Sequence, residues 1–193
     1  MKKICIYCGC SDKIPQVYLD AAYEMGATVA QQDITIIYGA GSTGMMGALA
    51  DGALAAGGKV WGVIPKIFDT PQLSHKGLTY YEVTDTIHTR KARMADLAEG
   101  FIALPGGFGT LEELLEIMTW AQIGLHSKPI GLLNIHGYYD LLLGMVTHAE
   151  QEGFIYSEHR QLFTHATTPT ALLEQMRDHN LPDGLARWVA RDG

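Results

Sequence analysis

The chain has 193 residues, 47% of them hydrophobic and 18% charged, which is enough apolar material for the core of one domain and too little length for two of ordinary size. Its 14 Lys and Arg against 21 Asp and Glu leave a formal charge of −7, so overall charge offers no attraction to nucleic acid or to an anionic membrane. No stretch approaches the length of a membrane span, and the apolar run after the N-terminal lysines is too short for a signal sequence; the expectation is a cytoplasmic protein.

The first element, ICIYC, is a short apolar run that reads as a buried strand. Cys5, Cys8 and Cys10 lie within it and just beyond it, and they include a C-x-x-C. No second cysteine pair follows and no H-E-x-x-H appears among the eight histidines, whereas a zinc site needs about four ligands, so buried structural cysteines are the better reading and no metal is expected. A helical segment, PQVYLDAAYEMGATVAQQ, leads to a second strand, ITIIYG.

The turn YGAGSTG matches G-x-G-x-x-G at Gly39, Gly41 and Gly44, between a strand and the helix TGMMGALADGALAAG. It follows the second strand, and about twenty residues on, where a dinucleotide site carries a ribose-binding acid, the next strand ends GVIPK. The pattern therefore argues against full NAD binding. It leaves two readings open: a turn offering backbone to part of a nucleotide, with Gly41, Ser42 and Gly44 lining it, or close helix-to-sheet packing.

After VWGVIP comes the longest irregular stretch, IPKIFDTPQLSHKGL, a candidate lid or ligand-facing loop. The helix DTIHTRKARMADLAEG then carries Arg90, Lys91 and Arg93, which are either a solvated face or local partners for a phosphate and a carboxylate. The strand FIALPGG runs directly into GTLEELLEIMTWAQIGLH. Gly106, Gly107 and Gly109 can turn successive N–H groups into one concavity and Thr110 can add a hydroxyl, which makes an oxyanion cradle. The competing reading is a T-x-x-E capping box in which Glu113 only returns a bond to Thr110. A carboxylate beside a phosphate cradle is chemically apt if the reacting centre becomes positive, as when an N-glycosidic bond breaks.

The remaining elements are PIGLLN, GYYDLLLGMVTHAEQEG and TPTALLEQMRDH, with a tail LPDGLARWVARDG that packs loosely or meets a partner. Strands alternating with helices predict an α/β fold, a doubly wound, mostly parallel sheet with helices on both faces, in a single Rossmann-like nucleotide-binding domain over residues 1–193. In such sheets ligands sit beyond the carboxyl ends of the strands, which here means the loops CGCS, YGAGSTG, residues 65–78 and LPGGFGT.

H-x-R-K-x-x-M at residues 88–94 followed by P-G-G-x-G-T-x-x-E at 105–113 resembles the Lonely Guy (LOG) family, the cytokinin riboside 5′-monophosphate phosphoribohydrolases. The likeness runs from CGCS through YGAGSTGMMG and TWAQIGLHSKPIGLLN to GYYDLL. It implies hydrolysis of a purine nucleoside 5′-monophosphate, AMP or a prenylated AMP, to free base and ribose 5-phosphate, with neither metal nor organic cofactor. Arg90 and Glu113 would be the catalytic pair. Gly41, Ser42, Gly44, Gln72, Lys91, Met94, Gly106, Gly107, Gly109, Thr110 and Glu112 would bind substrate. Two residues depart from the family pattern: Cys10 stands where a serine is usual, and Gln72 where many members carry an acid, so base or N6-substituent preference is where a difference would show. The resemblance also implies a homodimer formed through helices such as LEELLEIMTWAQIGLH, which is apolar on nearly every face. The alternative is a nucleotide or molybdenum-cofactor carrier, which needs the glycine cradle but not the acid. Relatives have also been labelled lysine decarboxylases. That chemistry requires a Schiff-base lysine in a pyridoxal phosphate pocket, and no lysine here has a convincing setting.

Overall fold

Continuous apolar runs become strands that are buried on both faces, and the two-residue period of a strand divides each run between two cores. In the computed structural model, which describes residues 1–182 and Leu185, the first strand, β1 (Lys3–Tyr7), shows this directly. Ile4 and Ile6 enter one core, while Cys5 and Tyr7 enter the other. The elements that follow are α1 (Gln16–Gln31), β2 (Thr35–Tyr38), α2 (Gly44–Ala55), β3 (Val60–Pro65), β4 (Tyr80–Thr84), α3 (Ile87–Leu97), β5 (Phe101–Ala103), α4 (Phe108–Gln122), β6 (Ile130–Leu133), α5 (Asp140–Gln151), β7 (Thr164–Ala166) and α6 (Pro169–Asp178).

The seven strands form one sheet in the order β4-β3-β2-β1-β5-β6-β7, with every neighbouring pair parallel. Helices α1, α2 and α6 cover one face through residues such as Met25, Leu49 and Leu172. Helices α3, α4 and α5 cover the other through Met94, Leu114, Ile117 and Leu142. This is the doubly wound α/β fold that the alternation predicts. The chain leaves β1 towards β2 and returns on its other side as β5, so the strand order reverses between β1 and β5 and a crevice opens beyond their carboxyl ends. The loops CGCS and LPGGFGT meet there. Gly9 N–H donates to Pro105 O at 3.0 Å, and a Cβ on Gly9 would come within 3.2 Å of Gly106 Cα.

Sequence periodicity predicts neither β4 nor β7, and both are edge strands. An edge needs no continuous apolar run: β4 reads YYEVT with Tyr80, Tyr81 and Val83 exposed, and β7 is only three residues long. The helical segments appear as expected. Gly26 of α1 and Gly52 of α2 let those helices approach until a Cβ on either would strike the other's backbone. The tail reading falls mostly outside the described residues, apart from Leu185, which is buried.

Candidate active site

Helix α3, which carries the first candidate residues, is started by a capping box: the Thr86 side chain accepts from Thr89 N–H, and Thr89 Oγ1 accepts from Thr86 N–H. This fixes the direction of Arg90, Lys91 and Arg93. The basic residues do not form a solvated face. Arg90 pairs with Glu113, Lys91 with Glu112 and, at 3.0 Å, with Glu116, and Arg93 reaches Glu82 of β4 at 2.8 Å.

Helix α4 begins earlier than the capping-box reading requires. Gly107 is its N-cap and makes no side-chain cap, so Thr110 lies inside the first turn, 4% exposed and packed against Gly106. Glu113 is therefore a second-turn residue whose carboxylate belongs to Arg90, and the capping box is not formed. No acidic side chain occupies the first turn of α4, and the N–H groups at its start have no intrahelical acceptor. A Cβ on Gly107 or Gly109 would meet nothing within 4 Å, whereas one on Gly106 would run into Thr110. Gly106 is thus needed for packing, while Gly107 and Gly109 face open space.

The other glycine turn is arranged differently. Gly44, at φ +57°, opens α2, but its N–H donates to the Asp12 carboxylate at 2.8 Å, and Thr43 Oγ1 donates to Cys10 O at 2.8 Å. The protein's own carboxylate already sits at that helix start. Ser42 is tied to the β3–β4 loop, with its N–H on Leu73 O at 2.9 Å and its hydroxyl on Gln72 O at 3.3 Å. Gln72 therefore meets the turn through its backbone while its side chain is exposed. Gly41 packs under Met46, whose sulfur would lie 2.8 Å from a Cβ there. Gly39 admits the Arg90 guanidinium, which would be 3.3 Å from a Cβ at that position. The turn thus walls the site beside Arg90.

The centre of the arrangement is the Arg90–Glu113 pair, with side chains 14% and 12% exposed. Burial pushes the Glu113 carboxyl up to about 7; the Arg90 charge opposes this and Glu112 adds to it. Among the described residues the buried Nε–H of Arg90 has no acceptor, so donor capacity remains beside the carboxylate. Lys91 is 8% exposed and taken up by two glutamates. Burial works against its ammonium, but those two hydrogen bonds win and its pKa is raised. An ammonium held by two carboxylates is poorly placed to act as a Schiff-base nucleophile. Met94 lies in the core, 1% exposed, and is not brought to the crevice.

Cys5 of β1 and Cys8 just beyond it enter opposite cores, because an odd offset along extended chain reverses the face, and burial raises both thiols; Cys10 is exposed. Asp12 at α2 carries no motif signal. Tyr138 and Tyr139 lie in GYYDLL, where the likeness assigns them no role: Tyr138 donates to Gly106 O at 2.5 Å and Tyr139 to Leu104 O at 2.6 Å.

Residues 46–176 match the family model described as "Possible lysine decarboxylase". A probable cytokinin riboside 5′-monophosphate phosphoribohydrolase of Oryza sativa subsp. japonica is 41% identical over 93% of this chain and 73% of its own. The chain belongs to the LOG family. A cytokinin riboside 5′-monophosphate phosphoribohydrolase of Arabidopsis thaliana is 42% identical over 92% of this chain and 84% of its own. The LOG fold is shared more widely: the molybdenum cofactor binding protein of Rippkaea orientalis superimposes with a TM-score of 0.70 over 92% of this chain and 96% of its own, at 21% identity. At that identity the likeness concerns the fold alone.

Proposed function

We propose that this LOG-family chain hydrolyses the N-glycosidic bond of purine nucleoside 5′-monophosphates, releasing the free base and ribose 5-phosphate. The observation that carries the reading is the buried Arg90–Glu113 pair beside a helix start that has no acidic side chain in its first turn. The 5′-phosphate is held by the N–H groups from Gly107 to Thr110 at the positive end of α4. At the other glycine turn Asp12 already fills the corresponding position, so that turn lines the nucleotide and does not hold its phosphate.

As the C1′–N bond breaks, its electron pair leaves with the base and the sugar becomes oxocarbenium-like. Ionised Glu113 stabilises that cation or takes a proton from the water whose oxygen bonds to C1′, a proton returned through solvent to the departing base nitrogen, and Arg90 holds the carboxylate in place. Lys91 acts through Glu112 and Glu116, neutralising carboxylates that would otherwise repel the phosphate. No step calls on a metal or organic cofactor. The substrate is AMP or an N6-prenylated AMP, and the exposed Gln72 loop and Cys10 are where base preference is set.

No helix among the described residues is long and apolar enough to cross a membrane. A cytoplasmic protein fits that and the three free cysteines. We also propose a homodimer. The inner side of α4 is accounted for by the core through Leu114, Ile117, Met118 and Ala121, but Leu115 of α4 and Leu141 and Met145 of α5 remain exposed, as a subunit contact requires.

The test is release of base from AMP and from isopentenyl-AMP by metal-free protein, beside Glu113→Gln and Arg90→Ala. Turnover that either substitution lowers by at least about 100-fold is the expected result. Tight nucleotide binding without turnover, unaffected by Glu113→Gln, would instead make the protein a carrier.

A further inference from the structure

The phosphate cradle depends on how two successive peptide planes are turned, and both are held by groups outside the glycine motif. Pro105 O accepts from Gly9 N–H at 3.0 Å, and Gly106 O accepts from the Tyr138 hydroxyl at 2.5 Å. The chain has no cis peptide among the described residues, so the C=O and N–H of each plane point in opposite directions. With Gly106 O drawn to Tyr138, the N–H of Gly107 is turned away from Tyr138, and the surroundings of Gly107 are open enough that a Cβ there would meet nothing within 4 Å. A Gly-Gly peptide resists rotation less than any other pair, because neither residue has a side chain to limit its dihedrals. Left unpinned, this plane could rotate and present the Gly106 carbonyl, a negative dipole, to the bound anion.

The tyrosines are aimed by a turn built for the purpose. After β6, His136 and Gly137 both take positive φ, at 50° and 69°. Asn134, only 7% exposed, closes the turn: its amide donates to Asp140 Oδ1 at 2.8 Å and its carbonyl oxygen accepts Tyr139 N–H at 2.8 Å. Tyr139 is buried and satisfies Leu104 O. Tyr138 is 41% exposed on the rim, its ring set edge-on to Tyr18 and Tyr139. Its hydroxyl therefore contributes little to the core.

We propose that Tyr138 is a positioning residue for the 5′-phosphate: its hydroxyl holds the Gly106–Gly107 peptide with the Gly107 N–H directed at the anion. This rests on the proposed assignment of the α4 start to the phosphate.

Tyr138→Phe keeps the ring and removes only the pin. Two readouts are compared with the native protein: ribose 5-phosphate affinity by calorimetry, and kcat and KM for AMP. The variant is expected to bind ribose 5-phosphate about tenfold more weakly and to show a KM raised by a similar factor, with kcat and Tm near native values. Unchanged ribose 5-phosphate affinity would overturn the role of Tyr138, as would a weakening matched by a fall in Tm. The binding arm does not need turnover. A native protein that binds ribose 5-phosphate but releases no base would defeat the hydrolase reading while leaving the tyrosine comparison decisive. A native protein that neither binds ribose 5-phosphate nor releases base from AMP would defeat both, and one that releases base without binding ribose 5-phosphate would overturn the phosphate cradle and with it the role of Tyr138.

Discussion

Glu113 is subject to two opposing influences, a charged partner and deep burial. The Arg90 guanidinium favours its ionised form, yet burial dominates and places the carboxyl at about 7. If ionised Glu113 is the working form, kcat/KM should fall about tenfold per unit as pH drops below about 7. A profile that stays flat to pH 5 would remove Glu113 from the chemical step. The same shift has a consequence for stability. The folded state holds this proton more tightly than the unfolded chain does, so the group's contribution is complete below about 4.5 and is lost as pH rises through about 7. The motif makes Arg90 and Glu113 legible because each sits at a fixed offset from glycines or from another motif residue. The contacts of Asp12 and of Tyr138, the latter inside the recognised GYYDLL, are not legible, since each acts on a backbone group 32 residues away and no local spacing records that meeting.

Two helices begin in glycine-rich turns, and their differences lie in what stands in front of each. At α2 an aspartate from the loop after β1 takes the first N–H; at α4 the first turn has no acid and the glycines are open. The glycines of PGGFGT consequently divide into two kinds that substitution separates. Gly106→Ala should lower Tm by several degrees, because its Cβ would collide with Thr110 and approach Gly9 N. Gly109→Ala lies within a helix and meets nothing, so Tm should hold or rise slightly while KM for the nucleotide rises several-fold. Paired thermal melts and steady-state kinetics check both, and a Gly109→Ala protein with native KM would place the phosphate elsewhere. The helix α3 is read from its sequence as amphipathic, but which residues it presents depends on α4 lying beside it. Lys91 and Met94 accordingly face glutamates and the core, not the crevice.

At the scale of the molecule, the reversal of strand order between β1 and β5 makes the crevice, and α3 and α4 bring opposite charges to it from one face of the sheet. That face also carries the exposed residues Leu115, Leu141 (89% exposed) and Met145. Light scattering should report twice the chain mass, and Leu141→Asp should shift the protein towards the monomer. A native protein that is monomeric at micromolar concentration would leave that apolar surface without its proposed partner.

The alternation of elements and the runs ICIYC, ITIIYG and PIGLLN are enough to specify a parallel α/β sheet with buried centre strands, because burial on both faces leaves its mark in the hydrophobicity of each strand itself. The spacing of HTRKARM and PGGFGTLEE likewise carries the family and the candidate pair. Only the tertiary structure decided the rest. Edge strands β4 and β7 bury too little to need a pattern. Which glycine turn stays free for an anion depends on Asp12, and which peptide plane is held depends on Tyr138. Those are contacts between distant segments, and they exist only once the cores on the two faces of the sheet have packed those segments together.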